Sequence, residues 1–271
     1  MGQKTNPNSF HIQSRVNESP WTIFSKSEYS YLVKQEIGFT ETIQNFFEKN
    51  NLIVKQISFY LHNESNDVLL FLSFFPIRGF RKFEKSETFL PTNNFLSENL
   101  FSLLNSMGYK TEKRFVFLNL EKYVKDFSSS KDEEKKIERK MSLFRREAFY
   151  EPGLSLFLVL LRSKNNASLF SKFIAKYFKL YHRSRKINKF LNFLQVFIHL
   201  IVSSSFLTSK PLKGIKIELK GRFNGVPRSK KKKFESGRIS LQTITCPVNY
   251  SLTHVSTSYG VFSVKVWICD E

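Results

Sequence analysis

Residues 212–268 read LKGIKIELKGRFNGVPRSKKKKFESGRISLQTITCPVNYSLTHVSTSYGVFSVKVWI. Three segments in this stretch alternate between apolar and polar residues, beginning at Ile215, Ile239 and Phe262. Successive side chains of a strand point to opposite faces, so the pattern predicts a sheet with one packed face and one wet face. The residues expected on the packed face are Ile215, Ile217, Leu219, Ile239, Leu241, Phe262, Val264, Val266 and Ile268.

The polar residues of this stretch are mainly basic. Between Lys210 and Arg238 there are 11 lysines and arginines against only Glu218 and Glu235. The whole chain has a formal net charge of +20 and a pI of about 9.9. Such a balance indicates binding to nucleic acid or to an anionic membrane surface, and it argues weakly against an enzyme for small neutral substrates.

Several short blocks resemble one protein family. Residues 214–216, 221–225, 237–241 and 258–268 are similar to the C-terminal domain of the S3 family of small-subunit ribosomal proteins, of bacterial and mitochondrial type. The opening residues 2–7 resemble the start of the same family. The resemblance implies a structural, non-enzymatic subunit that binds small-subunit rRNA in the head, lies beside the path by which mRNA enters, and contacts neighbouring head proteins.

The resemblance also implies the domain organisation. We expect an N-terminal extension at 1–37, a degenerate type II KH-like domain at 38–124, a charged insertion at 125–165 and a C-terminal S3 domain at 166–271. The fold class is then α+β, with two helices packed on a small, mainly antiparallel sheet in the C-terminal domain. KH domains hold a nucleic-acid backbone with a G-x-x-G loop. Here Gly79-Phe80-Arg81-Lys82 has only the first glycine, so we expect this contact to be reduced or lost.

The region 38–124 has the pattern of a small α/β unit. A helix is expected from Thr40 to Asn50, with Ile43, Phe46 and Phe47 on its apolar face. Strands are expected at 53–60 and 68–75, joined by a polar turn at 63–67. A second helix at 94–107, with an apolar stripe and a closing glycine, and a strand at 115–120 complete the unit; the residues concerned are Leu96, Leu100, Leu103, Leu104 and Gly108.

The run 125–162 mixes both charges at helical spacing. A solvated helix or a disordered insertion is the usual meaning of this pattern, and an RNA-contacting arm is the less common one. Pro152-Gly153 is expected to break the helix.

Residues 168–207 show a helical period that contains a basic segment, 182–189. In the resembled family, basic residues at the positions of Arg185, Lys186 and Lys189 border the mRNA path, and their spacing puts them on one side of a helix. The alternative is a solvated face that touches rRNA phosphates. Residues 190–207 carry no charged side chain, and two readings are possible: a membrane span or a buried core helix. Polar residues such as Asn192 and Gln195 favour the core helix.

The rRNA contacts are expected among the other basic residues. The Asn224-Gly225 pair signals a turn between two strands, and we expect Gly221 and Gly225 to be required by the backbone there. The run 228–233 is expected to be a phosphate-binding loop, with a solvated face as the equal alternative. The candidate rRNA-binding residues are Lys4, Lys220, Arg222, Arg228, Lys230, Lys231, Lys232, Lys233 and Arg238.

No set of residues suggests catalysis, a metal or a cofactor. Cys246 and Cys269 are both at expected strand positions, and neither has metal-ligand spacing with a histidine, so two reduced thiols are expected. Phenylalanine occurs 30 times, which fits a core and the codon bias of an AT-rich organellar genome. With no secretory signal at the start, we expect a ribosome-bound protein of the mitochondrial matrix, encoded in the organelle. The alternative is a polybasic protein of a membrane surface.

Overall fold

The computed structural model describes residues 6–7, 26–61, 68–76, 98–100, 102, 116–122, 137–162, 166–184, 186–205, 212–243 and 246–270. The chain divides into two compact units. We call Asn17–Val124 the N-terminal unit, and Lys125–Glu271 together with Met1–Val16 the C-terminal unit.

The N-terminal unit packs a helix on a small sheet. Its described elements are α1 (Lys26–Lys49), β1 (Leu52–Leu61), β2 (Val68–Pro76) and β3 (Val116–Lys122). The sheet order is β1-β2-β3, with β1 and β2 antiparallel and β2 and β3 parallel. Residues 98–100 and 102 are helical. The core residues of this unit are Ile43, Phe47, Leu52, Val54, Leu72, Phe74 and Leu100, with Phe39, Phe46 and Ile57 packed against them.

These elements confirm the expected strands and the apolar face of the first helix, but the predicted start of that helix is wrong. The helix α1 begins at Lys26 rather than Thr40. The Thr40 hydroxyl donates to the Ile37 carbonyl at 2.8 Å, so it is satisfied inside the helix instead of capping one. The end is as expected: Asn51 has a left-handed φ of 57°, a conformation common just after a helix.

Several expectations for the N-terminal unit lie outside the described residues. They concern the turn at 63–67, the remnant G-x-x-G at 79–82, and the residues Leu96, Leu103, Leu104 and Gly108. The KH-like assignment and the domain boundaries remain predictions.

The C-terminal unit has three long helices and a sheet among its described residues. The elements are α2 (Tyr150–Arg162), α3 (Ala167–Tyr181), α4 (Lys186–Ser205), β4 (Leu212–Gly221), β5 (Lys230–Gly237), β6 (Val248–Thr257) and β7 (Gly260–Asp270). The sheet is antiparallel throughout, in the order β5-β4-β7-β6. Helix α3 contacts β6 and β7, α4 contacts β4 and β5, and α2 packs on α4. The predicted fold class, α+β with two helices on a small antiparallel sheet, is confirmed.

One face of this sheet is the core of the unit. Ile215, Ile217 and Leu219 of β4 are buried, as are Phe262, Val264, Val266 and Ile268 of β7, so the predicted packed face is confirmed for both strands. The helices cover it with a dense set of rings: Phe149, Phe157, Phe170, Phe173, Phe178, Phe190, Phe193 and Phe197 are all fully buried. Among the described residues, phenylalanine is therefore mainly a core residue and not a base-stacking one.

The second half of the charged run is part of this core, contrary to the solvated reading. Phe149, Leu156 and Phe157 have no exposed surface. Pro152 and Gly153 begin α2 rather than breaking a helix, because the missing proline N–H is harmless in a first turn. A Cβ at Gly153 would lie 2.6 Å from Cζ of Phe193, so glycine permits the close approach of α2 to α4.

Candidate nucleic-acid interface

The second face of the C-terminal sheet carries a lattice of charges, which we call the outer face. Register fixes its members: Lys216, Glu218 and Lys220 on β4 lie opposite Glu235, Lys233 and Lys231 on β5. On the other side, Glu218 lies opposite Lys265 of β7. Directly opposed residues of antiparallel strands share a face. The outer face therefore holds five lysines against two glutamates.

Two cross-strand ion pairs order this lattice. Lys231 Nζ lies 2.6 Å from Glu218 Oε1, and Lys216 pairs with Glu235. Both pairs join the edge strand β5 to the central strand β4. Each pair joins a half-exposed side chain, Glu235 or Lys231, to a largely covered one, Lys216 or Glu218, and so fixes the direction of long side chains. The excess of lysine leaves the face positive, as a polyanion requires.

The basic run is a strand, so the expected loop at 228–233 is wrong from Lys230 onwards. Its lysines consequently divide between two sides of the sheet. Lys231 and Lys233 lie on the outer face, whereas Lys232 is opposite the buried Leu219 and its ammonium lies 5.1 Å from the centre of the Phe223 ring. As an exposed edge strand rich in lysine, β5 has the composition that discourages pairing with other strands.

The connection between β4 and β5 holds the predicted turn. Asn224 and Gly225 have φ values of 55° and 73°, the left-handed conformation that the Asn-Gly signal indicates. Arg222 Nε donates to the Val226 carbonyl at 3.0 Å, and Arg228 is exposed. Gly221 lies in β4 and not in the turn. It is close-packed instead, since a Cβ there would lie 2.6 Å from Cε1 of Phe262.

The segment after β5 corrects the third predicted strand. Residues 238–243 do not form a strand. Ile239 and Leu241 instead pack against Trp267 and Cys269. Trp267 is only 7% exposed, so this end of the outer face is apolar rather than wet. Arg238 is exposed, and its backbone N–H donates to the Lys213 carbonyl at 2.9 Å. Cys246 precedes β6, a strand that the sequence did not reveal, and Cys269 lies in β7 as expected.

The basic segment between α3 and α4 is a connection, not a continuous helix. Lys186 is the first residue of α4, and Arg185 lies outside the described residues. Lys189 is one turn later and its Nζ is 2.9 Å from Glu147 Oε1. Lys186 and Lys189 lie on the first two turns of α4, and the expected alignment of all three cations remains a prediction because Arg185 is not among the described residues.

This connection is tied to the turn between β6 and β7. His182 Nε2 lies 3.0 Å from Ser258 Oγ, and Arg183 Nε donates to the same oxygen at 3.0 Å. The His182 ring also meets Tyr259 edge-on, with centroids 5.7 Å apart. Tyr259 in turn borders Gly225, since a Cβ at Gly225 would lie 3.3 Å from Tyr259 Cε1. Three connections of the unit thus meet at one place.

Some basic residues of the interface were not among the candidates. Lys216 and Lys265 belong to the outer face, and the alternation of β4 and β7 was the signal that could have included them. Arg183 could not be selected, because its partner Ser258 is 75 residues away. Lys4, a candidate, lies outside the described residues.

Helix α4 is the one described helix that is long and apolar enough to cross a membrane, by its length and composition. Half of its apolar window, Lys186–Ser204, is buried inside the unit. Its predicted stripe, Leu191, Leu194, Phe197, Ile198 and Ile201, is buried. A core helix accounts for this pattern, as expected.

Comparison with known proteins shows similarity to one family. The family model of the ribosomal protein S3 C-terminal domain matches residues 193–268. A protein of Euglena longa named small ribosomal subunit protein uS3c is 26% identical over 269 residues, 99% of each chain. The uS3c of Cyanidioschyzon merolae is 46% identical over 57 residues, which are 21% of this chain and 28% of the relative. The uS3 of Persephonella marina is 46% identical over 56 residues, 21% of this chain and 25% of the relative.

These relatives correct one expectation and confirm another. Two of them have the chloroplast-type name uS3c, and the third is bacterial, so the expected mitochondrial location is wrong. The stretch that the family model matches contains most of α4, the strands β4 to β6 and β7 up to Ile268, and so includes the strands that form the outer face. The family-model match and the likeness to uS3c over nearly the whole chain support the S3 family of small-subunit ribosomal proteins, a family of structural, non-enzymatic subunits.

Proposed function

We propose that this chain is the S3 protein of a plastid small ribosomal subunit and that its outer face binds the phosphates of rRNA. The observation that carries the proposal is the charge lattice, five lysines against two glutamates on one side of a rigid sheet. Strand spacing places these ammonium groups at regular intervals, and each one that meets a phosphate releases a counterion. Such contacts position the protein without reading base identity.

The names of the chloroplast-type relatives support the proposed plastid location. We expect the chain to sediment with small subunits of the plastid and to be released by ribonuclease but not by detergent. Sedimentation with mitochondrial small subunits, or release by detergent alone, would contradict it. The same profile separates an RNA-bound protein from one held at a membrane surface.

The proposal extends to mRNA by resemblance. Arg185, Lys186 and Lys189 would border the path by which mRNA enters, near the neighbouring proteins of the head. Lys186 and Lys189 are both exposed at the start of α4, which is the accessibility that this role requires. The N-terminal unit would be the degenerate KH-like domain. The order of its elements along the chain, a helix followed by β1, β2 and β3, supports this assignment.

A pair of matched variants tests the outer face. Lys220→Gln with Lys233→Gln removes two outer-face charges and leaves the Lys231–Glu218 pair in place. Lys230→Gln with Lys232→Gln removes the same charge from the other side of β5. Binding of the full chain to small-subunit rRNA transcribed in vitro is measured over a range of salt concentrations.

We expect the outer-face variant to flatten the slope of log K against log salt by about two units, since each lost phosphate contact changes it by about 0.9. The control variant keeps the wild-type slope. Thermal melting of both proteins excludes unfolding as the cause. Equal slopes for the two variants would show that the outer face is not the rRNA-binding surface.

A further inference from the structure

The segment 137–149 precedes α2 and is fixed on the first half of α4. The Phe144 ring lies 5.5 Å from Phe193, and the Phe149 ring lies 4.9 Å from Phe193 and 5.3 Å from Phe190, between centroids. Phe149 and Met141 have no exposed surface. Full burial of the Phe149 ring is worth about 1.5–3 kcal/mol, and Met141 and the partly buried Phe144 add to it, so the segment is not a loosely attached arm.

The residues between the two anchoring rings form a chain of tight turns. Arg145 N–H donates to the Ser142 carbonyl at 3.1 Å, Glu147 N–H to Phe144 at 2.9 Å, and Tyr150 N–H to Glu147 at 3.1 Å. Arg145 and Arg146 are exposed within this turn. Because Phe144, Glu147 and Phe149 all contact α4, the backbone that carries Arg145 and Arg146 is held close to this helix.

Glu147 of this segment forms an ion pair with Lys189 of α4. Its carboxylate is 12% exposed and holds Lys189, whose side chain is 66% exposed, at 2.9 Å. One of the cations that the resemblance assigns to mRNA is thus paired with a carboxylate from the segment. A carboxylate beside an RNA backbone repels phosphate, and the neutralised lysine attracts it less. Arg146, the residue next to Glu147, restores positive charge at the same place.

We propose that Arg145 and Arg146 bind the backbone of the mRNA that passes Lys186, so that the 137–149 segment forms an added wall of the mRNA path. The inference rests on the mRNA role proposed above. Guanidinium groups suit this task, because their planar fork can bind two phosphate oxygens at once and they stay charged at any relevant pH. Arg139 and Lys140 are exposed earlier in the same segment and lie outside the proposed contact.

The test uses small subunits assembled with the full-length chain. Arg145→Ala with Arg146→Ala removes the proposed contact, and Arg139→Ala with Lys140→Ala is the control of equal charge from the same segment. Lys186→Ala measures the mRNA role itself. Each subunit population is scored for abundance and for its rate of translation on a message with a stable hairpin and on an unstructured one.

We expect the Arg145/Arg146 variant to assemble normally and to slow the hairpin message several-fold more than the unstructured message, as Lys186→Ala does, while the control slows it less. Arg145→Lys with Arg146→Lys should recover part of the rate, since charge returns without the fork. Glu147→Gln releases Lys189 and should raise the rate on the hairpin message.

Two results overturn the inference and leave the mRNA role in place. The first is slow translation with Lys186→Ala but a normal rate with the Arg145/Arg146 variant. The second is loss of assembled subunits with the Arg145/Arg146 variant, which would make the arginines rRNA anchors or contacts to an acidic neighbouring protein. A normal rate with every variant, Lys186→Ala included, would remove the mRNA role and the inference together.

Discussion

The two faces of the C-terminal sheet are made by the same strands, yet they differ in almost every physical property. On the inner face Ile215, Ile217, Val264 and Val266 are completely buried against rings from α3 and α4. On the outer face the same strands carry Lys216, Glu218 and Lys265. A one-residue step along β4 thus changes a side chain from core to interface. Within each strand, substitutions at alternate positions should therefore separate effects on stability from effects on the proposed RNA binding.

The outer face itself is divided. At one end Val248, Trp267 and Cys269 are buried beneath Ile239, Leu241, Cys246 and Tyr250, and the Tyr250 and Trp267 rings lie 5.3 Å apart. The rest carries the five lysines with Glu218 and Glu235, and β6 adds Leu252 and His254 opposite Lys265 and Ser263. Substitutions at the apolar end should consequently affect stability, and only those among the lysines should affect affinity for RNA.

The largest effect is expected from Gly221→Val on the inner side. The new Cβ would overlap the Phe262 ring, which is buried against Phe178 and Phe223 with centroids 5.6 Å and 5.4 Å away. Overpacking of this kind costs about 3 kcal/mol or more when the neighbours cannot move. Chemical denaturation of the full chain measures the loss, and low soluble yield is the expected sign of it. Gly221→Val combined with Phe262→Ala should recover part of the loss, and an unchanged midpoint for the single variant would contradict the packing.

Ile217→Ala and Lys216→Ala compare adjacent residues on the two faces. Ile217 is fully buried, so its truncation should cost about 2–5 kcal/mol. The Lys216 side chain is 15% exposed and pairs with the half-exposed Glu235, so its truncation loses the ion pair and some packing of its stem and should cost less, about 1 kcal/mol. Denaturant midpoints give both values. Similar costs for the two variants would mean that the faces are not divided as the burial of these residues indicates.

Gly225→Val should have an intermediate effect, because it changes the turn and not the sheet. Its φ of 73° costs about 1–3 kcal/mol for a residue with a branched side chain. Gly225→Asn is the matched control, since asparagine tolerates this conformation and Asn224 already adopts it. Thermal melting of the two variants provides the comparison, and equal melting temperatures would remove the backbone requirement.

Periodicity predicted the strands that have an apolar face. The alternation of 215–219 and 262–268, and the stripe from Leu191 to Ile201, were sufficient because each buries one side against a neighbour. The edge strand β5 could not be found in this way. Lys230–Lys233 has no apolar period, and the strand is formed by its backbone pairing with β4. The alternation of Ile239 and Leu241 predicted a strand that is not formed. Two apolar residues at positions i and i+2 also suit a loop that covers Trp267.

The contacts of the interface that could not be predicted from the sequence are made between residues far apart along the chain. Lys189 was expected to be a cation of the mRNA path, but Glu147, 42 residues earlier, holds it. Phe144 and Phe149 bring that glutamate to α4, and neither ring has a local pattern that indicates its target. The high charge content of 125–162 predicted a solvated segment. Composition alone cannot show that Phe149 and Phe157, which lie between the charged residues, are buried.

The smallest expected effect concerns Cys246 at the apolar end of the outer face. Ser240 Oγ donates to Cys246 Sγ at 3.2 Å, and this hydrogen bond, followed by one from Thr243, lowers the pKa of the thiol against the opposing effect of burial. Lys213 and the Cys269 thiol lower the pKa further.

A lower pKa means more thiolate at neutral pH, and the thiolate is the form that reacts. Ser240→Ala should therefore raise the pKa and slow alkylation of Cys246 by iodoacetamide at neutral pH. Above the ordinary thiol pKa of about 8.5 the two rates should converge, because both proteins are then largely ionised. Cys269, which is 1% exposed, is the internal control and should react only on unfolding. Equal rates at neutral pH would show that Ser240 does not hold the thiol, and rapid alkylation of Cys269 in the folded protein would show that this end of the face is open to water.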